Sequence, residues 1–106
     1  MAQFDVHRNS GRNRDIIPYV VIVQSSLYDG FRRRVVVPLV RKSKLGKTDS
    51  PRLNPVFRIE GTAVVLHPLE IVSVAYEQLG ERIGSLAREG SRITDALDEV
   101  LTRAWD

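Results

Sequence analysis

The sequence predicts a mainly β domain of the α+β class, in which short strands are followed by one C-terminal helix. Up to residue 74, apolar residues alternate with polar ones or form short β-branched runs bounded by turn residues, which is typical of strands. From residue 79 onward, apolar residues recur every three or four positions, which is typical of one face of a helix. We therefore expect a small β-barrel or twisted sheet that is closed by a terminal helix.

The first half of the chain predicts three strands, at residues 3–7, 17–24 and 32–40. A polar loop with a glycine near its middle, residues 8–15, separates the first two strands and suits a hairpin connection. Asp29-Gly30 is a strong turn signal before the third strand. Because proline lacks a backbone donor, Pro38 indicates a strand end, an edge or a bulge.

The second half opens with a polar stretch, residues 41–51, for which we predict an exposed loop. Residues 56–59 and 62–66 flank Glu60-Gly61 and are predicted to form a two-residue hairpin. Residues 69–74 (LEIVSV) are predicted to be a further strand.

Helical spacing is predicted to begin at Leu79 and to continue to the end of the chain, with Gly90 as a weak point. Within residues 91–106 the apolar face consists of Ile93, Leu97, Val100, Leu101 and Ala104. The opposite face consists of Thr94, Asp95, Asp98 and Thr102. The single tryptophan, Trp105, projects to the edge of the apolar stripe, where it can anchor the helix end or contact a partner.

The bulk composition is that of an ordinary soluble protein and predicts one domain over residues 1–106, with 42% hydrophobic and 27% charged residues. The absence of cysteine excludes disulfides, thiol catalysis and cysteine metal sites. No apolar run has the length of a signal-peptide core or of a membrane span, so we expect a cytoplasmic protein without membrane contact.

The charge is uneven, since residues 1–60 carry a net +7 whereas the whole chain carries +3. Two basic segments account for much of this excess, Arg32-Arg33-Arg34 and residues 41–47. One arginine of the first segment is expected to lie against the core, because side chains alternate along a strand. The two segments together could form a phosphate clamp, but solvated charge around a sheet edge is the favoured interpretation.

No motif for chemistry is found, and we predict that the protein is not an enzyme and has neither cofactor nor metal. His7 and His67 lack partners at a metal-like spacing and are interpreted as structural. No serine lies in a G-x-S-x-G elbow, and Gly80, Gly84 and Gly90 do not form a phosphate-binding loop.

Residues 18–39, PYVVIVQSSLYDGFRRRVVVPL, resemble the CcdB family of plasmid and chromosomal toxins. Within this stretch the resemblance rests on Val23-Gln24-Ser25, Leu27, Asp29 and the segment from Arg34 to Leu39. Further matching positions follow in collinear order along nearly the whole chain: Gln3-Phe4, residues 53–57, Gly80-Glu81, Ser85-Leu86, Ile93, Ala96, Leu97 and Asp98.

The resemblance implies an SH3-like barrel with a small additional antiparallel sheet and a long C-terminal α-helix, assembled as a homodimer. It also implies a toxin that binds the A subunit of DNA gyrase and traps the enzyme on cleaved DNA. A CcdA-like antitoxin is expected to neutralise the toxin and to repress the operon together with it. Operator DNA is then contacted only through the antitoxin complex.

The tail differs from the family pattern of an aromatic residue or threonine, then glycine, then a terminal apolar residue. An ungapped alignment places Thr102, Arg103 and Ala104 at these positions, followed by Trp105-Asp106. Glu99 also replaces a residue that is usually apolar. The resemblance assigns gyrase binding to the positions of Thr102, Arg103 and Ala104. Trp105 is added to this contact as a hypothesis, because it could restore an aromatic residue almost one helical turn later; a helix-end anchor or dimer packing is the alternative role for Trp105.

Three functions stay open at this point. The first is a gyrase-poisoning toxin, and the second is a non-toxic or retargeted antitoxin-binding co-repressor, which the altered tail favours. The third is a stand-alone nucleic-acid binder, which the two basic segments favour.

Overall fold

A computed structural model describes residues 3–48 and 50–102. It contains seven strands and one α-helix, in the order β1 (Asp5–Arg8), β2 (Tyr19–Ile22), β3 (Arg33–Arg41), β4 (Val56–Ile59), β5 (Thr62–Leu66), β6 (Val72–Ala75), β7 (Arg82–Ser85) and α1 (Gly90–Leu101). Short 3₁₀ turns connect several of them. The predicted fold class, mainly β with one C-terminal helix, is confirmed.

The strands form one antiparallel sheet, curled into a half-barrel, in the order β4-β5-β3-β2-β1-β7. The long β3 is its centre, because β2 pairs along one side while β5 and β6 divide the other. The additional small sheet expected from the resemblance therefore takes the form of a branch, in which β6 pairs with the first half of β3.

The core fills the concave side of this sheet and is closed by α1. Paired residues of neighbouring strands share a face, so Tyr19 and Leu39 point inward together, as do Val21 and Val37. The helix adds Ile93 and Ala96, both fully buried. The core cluster of buried residues is Val6, Tyr19, Val21, Val37, Leu39, Phe57, Val64, Leu66, Leu86, Ile93 and Ala96.

Pro38 lies inside β3 rather than at its end. Its carbonyl accepts a hydrogen bond from the His67 amide at 3.1 Å, so its backbone edge faces the gap between β5 and β6. Among the residues that the structure describes, no strand pairs with β3 in this gap, and the missing amide of proline therefore costs no ladder hydrogen bond. The predicted edge is local to this gap, and the strand continues to Arg41.

The hairpin predicted around Glu60-Gly61 is confirmed, with Ile59 paired to Thr62. Glu60 and Gly61 have φ values of 52° and 78°, the two positive angles of a type I′ turn. The polar loop between the first two strands is also confirmed as a hairpin connection, since β1 and β2 are antiparallel.

The prediction that helical structure begins at Leu79 is wrong. Residues 82–85 form β7, which pairs with β1, and α1 begins only at Gly90. The spacing of Leu79, Ile83 and Leu86 fits a helix, but Ile83 and Leu86 reach the core from a strand and its end. Because β2 pairs with only one edge of β1, the other edge can pair with β7. This pairing, together with the low helix propensity of Gly80 and Gly84, favours a strand over the helix that the weak periodicity indicated.

One strand boundary and one residue of the helix face also differ from the prediction. The strand expected at residues 69–74 begins at Val72, because Pro68–Glu70 forms a 3₁₀ turn. Leu101, placed on the apolar face of the helix, is 66% exposed.

Candidate functional site at the end of the C-terminal helix

The surface predicted to bind gyrase begins where α1 ends. Thr102 is exposed, and its amide and hydroxyl both donate to the Asp98 carbonyl, at 2.9 and 3.2 Å. Its hydroxyl also contacts the Asp98 carboxylate. These bonds satisfy a terminal carbonyl of the helix. Arg103, Ala104 and Trp105, the other residues of the predicted contact, lie outside the described residues.

The first half of α1 is fixed rigidly to the body of the protein. Gly90 lies against the Phe4 ring so closely that a Cβ there would be 2.6 Å from ring atom Cε2. Ile93 and Ala96 are fully buried in the core. A side chain at Gly90 would therefore push the helix away from the sheet.

Charged side chains hold the outer face of α1 against β4 and the loop before it. The Arg92 guanidinium lies 4.4 Å from the centroid of the Phe57 ring and donates to the Val56 carbonyl at 2.8 Å. The Arg52 guanidinium nitrogen Nε lies 3.5 Å from the Glu99 carboxylate oxygen Oε1. Glu99 thus takes part in an ion pair that holds the helix to this loop.

The last turn of α1 differs from this anchored part. Val100 is half-buried, whereas Leu101 and Thr102 are exposed. The helix is therefore anchored to the sheet while its last described turn is exposed. An exposed surface on an anchored element suits contact with a partner.

A second exposed apolar surface, which the sequence analysis missed, lies in the hairpin tip, residues 26–31 between β2 and β3. Leu27, Tyr28 and Phe31 are 85%, 53% and 66% exposed, and the two rings pack edge to face with centroids 5.8 Å apart. The signal in the sequence was a turn that carries three large apolar residues (SSLYDGF), where polar residues are usual.

A buried arginine holds the hairpin tip in shape. Arg34 is only 6% exposed and donates to the carbonyls of Asp29 at 2.6 Å, Arg33 at 3.0 Å and Phe31. Its guanidinium lies 4.8 Å from the centroid of the Tyr76 ring. One arginine of the Arg32-Arg33-Arg34 segment is thus buried, as expected, but Arg34 shares its strand face with Val36 rather than with the core residues Val37 and Leu39, so it packs against the hairpin tip and Tyr76 and not against the core cluster.

The other two arginines of this segment are also occupied by neighbours within the protein. Arg32 forms an ion pair with Glu77 at 3.1 Å, and Arg33 donates to the hydroxyl and the carbonyl of Ser73. The segment therefore does not present three cations to a phosphate group.

A polar network joins β1, β2 and the β4–β5 hairpin. The Tyr19 hydroxyl donates to Glu60 at 2.7 Å, and Arg8 bridges Glu60 at 2.9 Å and Glu81 at 3.2 Å. The hydrogen bonds from Tyr19 and then Arg8 lower the pKa of Glu60. Burial, followed by the hydrogen bond to Glu60, raises the pKa of Tyr19, while the bond to Glu60 raises that of Arg8.

The two histidines do not form a site in the described part of the chain. His7 is buried, and its Nδ1 lies 2.8 Å from the Gly80 carbonyl, so this nitrogen carries the donated proton. His67 lies at the start of the 3₁₀ turn, with its Nδ1 buried and unpartnered. Among residues 3–48 and 50–102, no group of three or more potential ligands could hold a metal ion, and no helix is long and apolar enough to cross a membrane.

Comparison with known proteins gives one family. The model of the CcdB family, described as CcdB protein, matches residues 3–102 and so includes every strand and the whole of α1. No curated protein matches the chain.

Proposed function

The chain belongs to the CcdB protein family, and on that basis we propose that it is the toxin of a type II toxin–antitoxin pair that inhibits DNA gyrase. Membership implies, in general terms, a toxin–antitoxin function directed at gyrase. The match over residues 3–102 is the observation that carries the proposal, because it spans the whole fold. The protein acts as a single CcdB-like domain, by binding and without catalysis of its own.

The contact with the gyrase A subunit is made from the tip of α1 by Thr102, Arg103, Ala104 and Trp105. The rigid anchoring of the helix and the exposure of Leu101 and Thr102 support this assignment. Trp105 supplies an aromatic face for a gyrase cation. Arg103 opposes binding to a facing arginine, because desolvating two like charges is unfavourable.

The other partners follow from the same membership. A CcdA-like antitoxin binds the toxin, releases gyrase and supplies the operator contact of a repressing complex. The toxin itself is a homodimer. Four large apolar side chains in the short segment 69–76 support self-association there: Leu69, Ile71, Val72 and Tyr76, each at least 39% exposed.

A growth experiment tests this function. The full-length protein is expressed in bacteria without an antitoxin, and we expect growth to stop and gyrase–DNA cleavage complexes to accumulate. Matched variants separate the tail from the fold: Trp105→Ala relieves the arrest, whereas Leu27→Ala in the hairpin tip does not. Continued growth, with soluble protein present, contradicts the proposal.

A second candidate, a non-toxic co-repressor that still binds the antitoxin, is favoured by one specific observation. The family match ends at residue 102, and the divergent residues Arg103 to Asp106 follow it. In this case the wild-type protein leaves growth unchanged. The variant Arg103→Gly with Ala104→Ile, ended before Trp105, gains toxicity, and absence of that gain argues against the tail as the cause.

A further inference from the structure

Two loops that are distant in sequence meet at one end of the sheet. The backbone amide of Arg41 donates to the Ile16 carbonyl at 2.7 Å, and the Arg41 guanidinium donates to the Asp15 carbonyl at 3.0 Å. These bonds join the loop at residues 11–16 to the loop at residues 41–48. We call the resulting surface the basic end; its cations are Arg12, Arg14, Arg41, Lys42, Lys44 and Lys47.

The basic end carries the whole positive excess of the protein. Its two loops contain six basic residues and one acidic residue, Asp15, whereas the net charge of the chain is +3. The rest of the chain is therefore net negative. Because Arg12, Arg14, Lys42, Lys44 and Lys47 are all exposed, their charges face solvent.

The cations of the basic end differ from several arginines elsewhere in the molecule, because those arginines form ion pairs. In the described residues, the ion pairs form at arginines outside the two loops, namely Arg8, Arg32, Arg52, Arg82 and Arg92. At the basic end no ion pair forms between residues that the structure describes. Its charge is consequently available to a partner.

The backbone beneath these cations is held in place before any partner arrives. The amides of Ile16 and Ile17 both donate to the Asn13 carbonyl, at 3.0 and 2.7 Å. Asn9 fixes the start of the loop by accepting from the Gly11 amide and donating to the Ile17 carbonyl. Such pre-organisation lowers the entropy lost on binding.

We propose that the basic end binds the phosphate backbone of duplex DNA, without reading its sequence. This goes beyond the proposed function, in which DNA is reached through the antitoxin. In a repressing complex, the basic end adds toxin–phosphate contacts to those that the antitoxin makes. The sequence suggested a phosphate clamp made of Arg32-Arg33-Arg34 and residues 41–47. In the structure, the loop at residues 11–16, and not Arg32-Arg33-Arg34, lies beside that second segment.

Duplex DNA fits this surface better than an acidic protein does. Protein partners are held mainly by buried apolar anchors, and Ile16 is the only exposed large apolar side chain in the described residues of the two loops. Phosphate contacts require only cations and backbone donors and no apolar anchor. The apolar side chains suited to a protein partner lie instead in the hairpin tip and in residues 69–76.

Fluorescence anisotropy with the full-length protein and a labelled 20-base-pair duplex of arbitrary sequence tests the proposal. Affinity is measured from 20 to 200 mM salt for wild type and for Arg12→Ala/Arg14→Ala/Lys42→Ala/Lys44→Ala. A matched control, Arg32→Ala/Arg33→Ala/Arg58→Ala/Arg88→Ala, removes the same net charge from exposed positions elsewhere. Circular dichroism establishes that each variant is folded, and the double variant Lys42→Ala/Lys44→Ala serves if the quadruple variant is not.

We expect wild type to bind at 20 mM salt, with a slope of log affinity against log salt of about −3 to −4, as for roughly four phosphate contacts. The basic-end variant loses at least about tenfold in affinity and most of the slope, the double variant loses about half of the slope, and the control stays within about threefold of wild type. Equal losses in both quadruple variants, or no binding at 20 mM salt, overturn the proposal. A polyglutamate peptide that binds the basic end more tightly than the duplex also overturns it, in favour of an acidic protein.

Discussion

Glu60 connects three parts of the sheet through its hydrogen bonds with Tyr19 and Arg8. Because those bonds favour the ionised carboxylate, its pKa is lower in the folded protein than in the unfolded chain. The stabilisation is therefore present above the ordinary glutamate pKa and is lost as the pH falls through the lowered value of the folded state.

The variant Glu60→Gln tests the predicted direction in which stability changes with pH. We expect the variant to be less stable than wild type at pH 7 and the difference to shrink toward pH 3, as measured by urea unfolding across that range. Glu70→Gln, at an exposed position in a 3₁₀ turn, is the control, and we expect it to leave the free energy of unfolding nearly unchanged at both pH 7 and pH 3. A stability difference that grows toward low pH contradicts the assignment.

Gly80 lies where two backbone segments come unusually close. A Cβ at this position would be 2.5 Å from the Arg8 carbonyl oxygen, whereas a Cβ at Gly84 would meet nothing within 4 Å. The Gly80 carbonyl also accepts the His7 ring proton, so the segment cannot retreat without losing that bond.

We therefore expect Gly80→Ala to lower the free energy of unfolding by about 1–3 kcal/mol, as overpacking does. Gly84→Ala, in the same part of the chain, is expected to change it by less than about 0.5 kcal/mol. Thermal or urea unfolding of both variants measures the difference. Equal stabilities of Gly80→Ala and Gly84→Ala would show that the Arg8 backbone moves away from the added Cβ at no cost.

At the level of single residues, the sequence predicted the pattern but not the partners. Alternation along a strand predicted that one arginine of the Arg32-Arg33-Arg34 segment would be buried, and one is, although on the strand face opposite to the core cluster. That it is Arg34, and that carbonyls of the hairpin tip receive its protons, depends on the path of the turn. The turn path is set by tertiary contacts that no local pattern encodes.

Among the elements, the β2–β3 hairpin depends most on one side chain. Replacing Arg34 by methionine keeps the apolar stem but leaves the carbonyls of Asp29 and Phe31 without their donors. A fully buried acceptor without its donor costs about 1–3 kcal/mol, and these two bonds are partly buried. We expect Arg34→Met to destabilise the protein by about 1–3 kcal/mol and Arg88→Met, at an exposed site, by less than about 0.5 kcal/mol.

Hydrogen exchange followed by NMR locates that effect. Faster exchange in Arg34→Met is expected at the amides of residues 28, 29 and 31, which donate within the tip. Uniform loss of protection across the whole sheet, with none specific to the tip, contradicts the role of Arg34 as its organiser.

Strands and turns were predicted correctly where one local sequence signal was dominant. They were missed where a local signal, such as helical spacing, competed with a long-range strand pairing. The Glu60-Gly61 hairpin was found because a two-residue connection between strands requires a type I′ or II′ turn, and glycine suits the positive φ angles of both. The stretch after Leu79 was misassigned because spacings of three and four also occur by chance across a turn, a strand and a 3₁₀ turn. Pairing of β7 with β1, 75 to 80 residues apart, is a long-range interaction that periodicity does not report.

For the whole molecule, self-association is expected to use the apolar residues of the segment 69–76. Leu69→Lys places a charge in that segment and is expected to convert the dimer to a monomer at micromolar concentration, because an unpaired charge is unfavourable in an interface. Leu27→Lys, in the hairpin tip, leaves the dimer intact. Light scattering after size-exclusion chromatography measures both masses, and the opposite result assigns the interface to the hairpin tip.

The candidate site was predicted only as far as the family resemblance reached. The sequence located the helix tip, and the structure adds that α1 is anchored by Ile93, Ala96 and Arg92 while its last turn is exposed. The basic end escaped prediction because its halves are about 30 residues apart and meet only through the pairing of β2 with β3.

We propose that this chain poisons gyrase by trapping it on cleaved DNA, and a cleavage assay tests that function directly. Purified full-length protein is incubated with gyrase, supercoiled plasmid and ATP, and the linear DNA released after detergent and protease treatment is quantified. We predict that linear DNA increases with protein concentration and that Trp105→Ala reduces the increase at least about tenfold, the effect of losing roughly 1.4 kcal/mol of binding. Unchanged supercoiling and no linear DNA, at concentrations where the protein is folded, would contradict the claim.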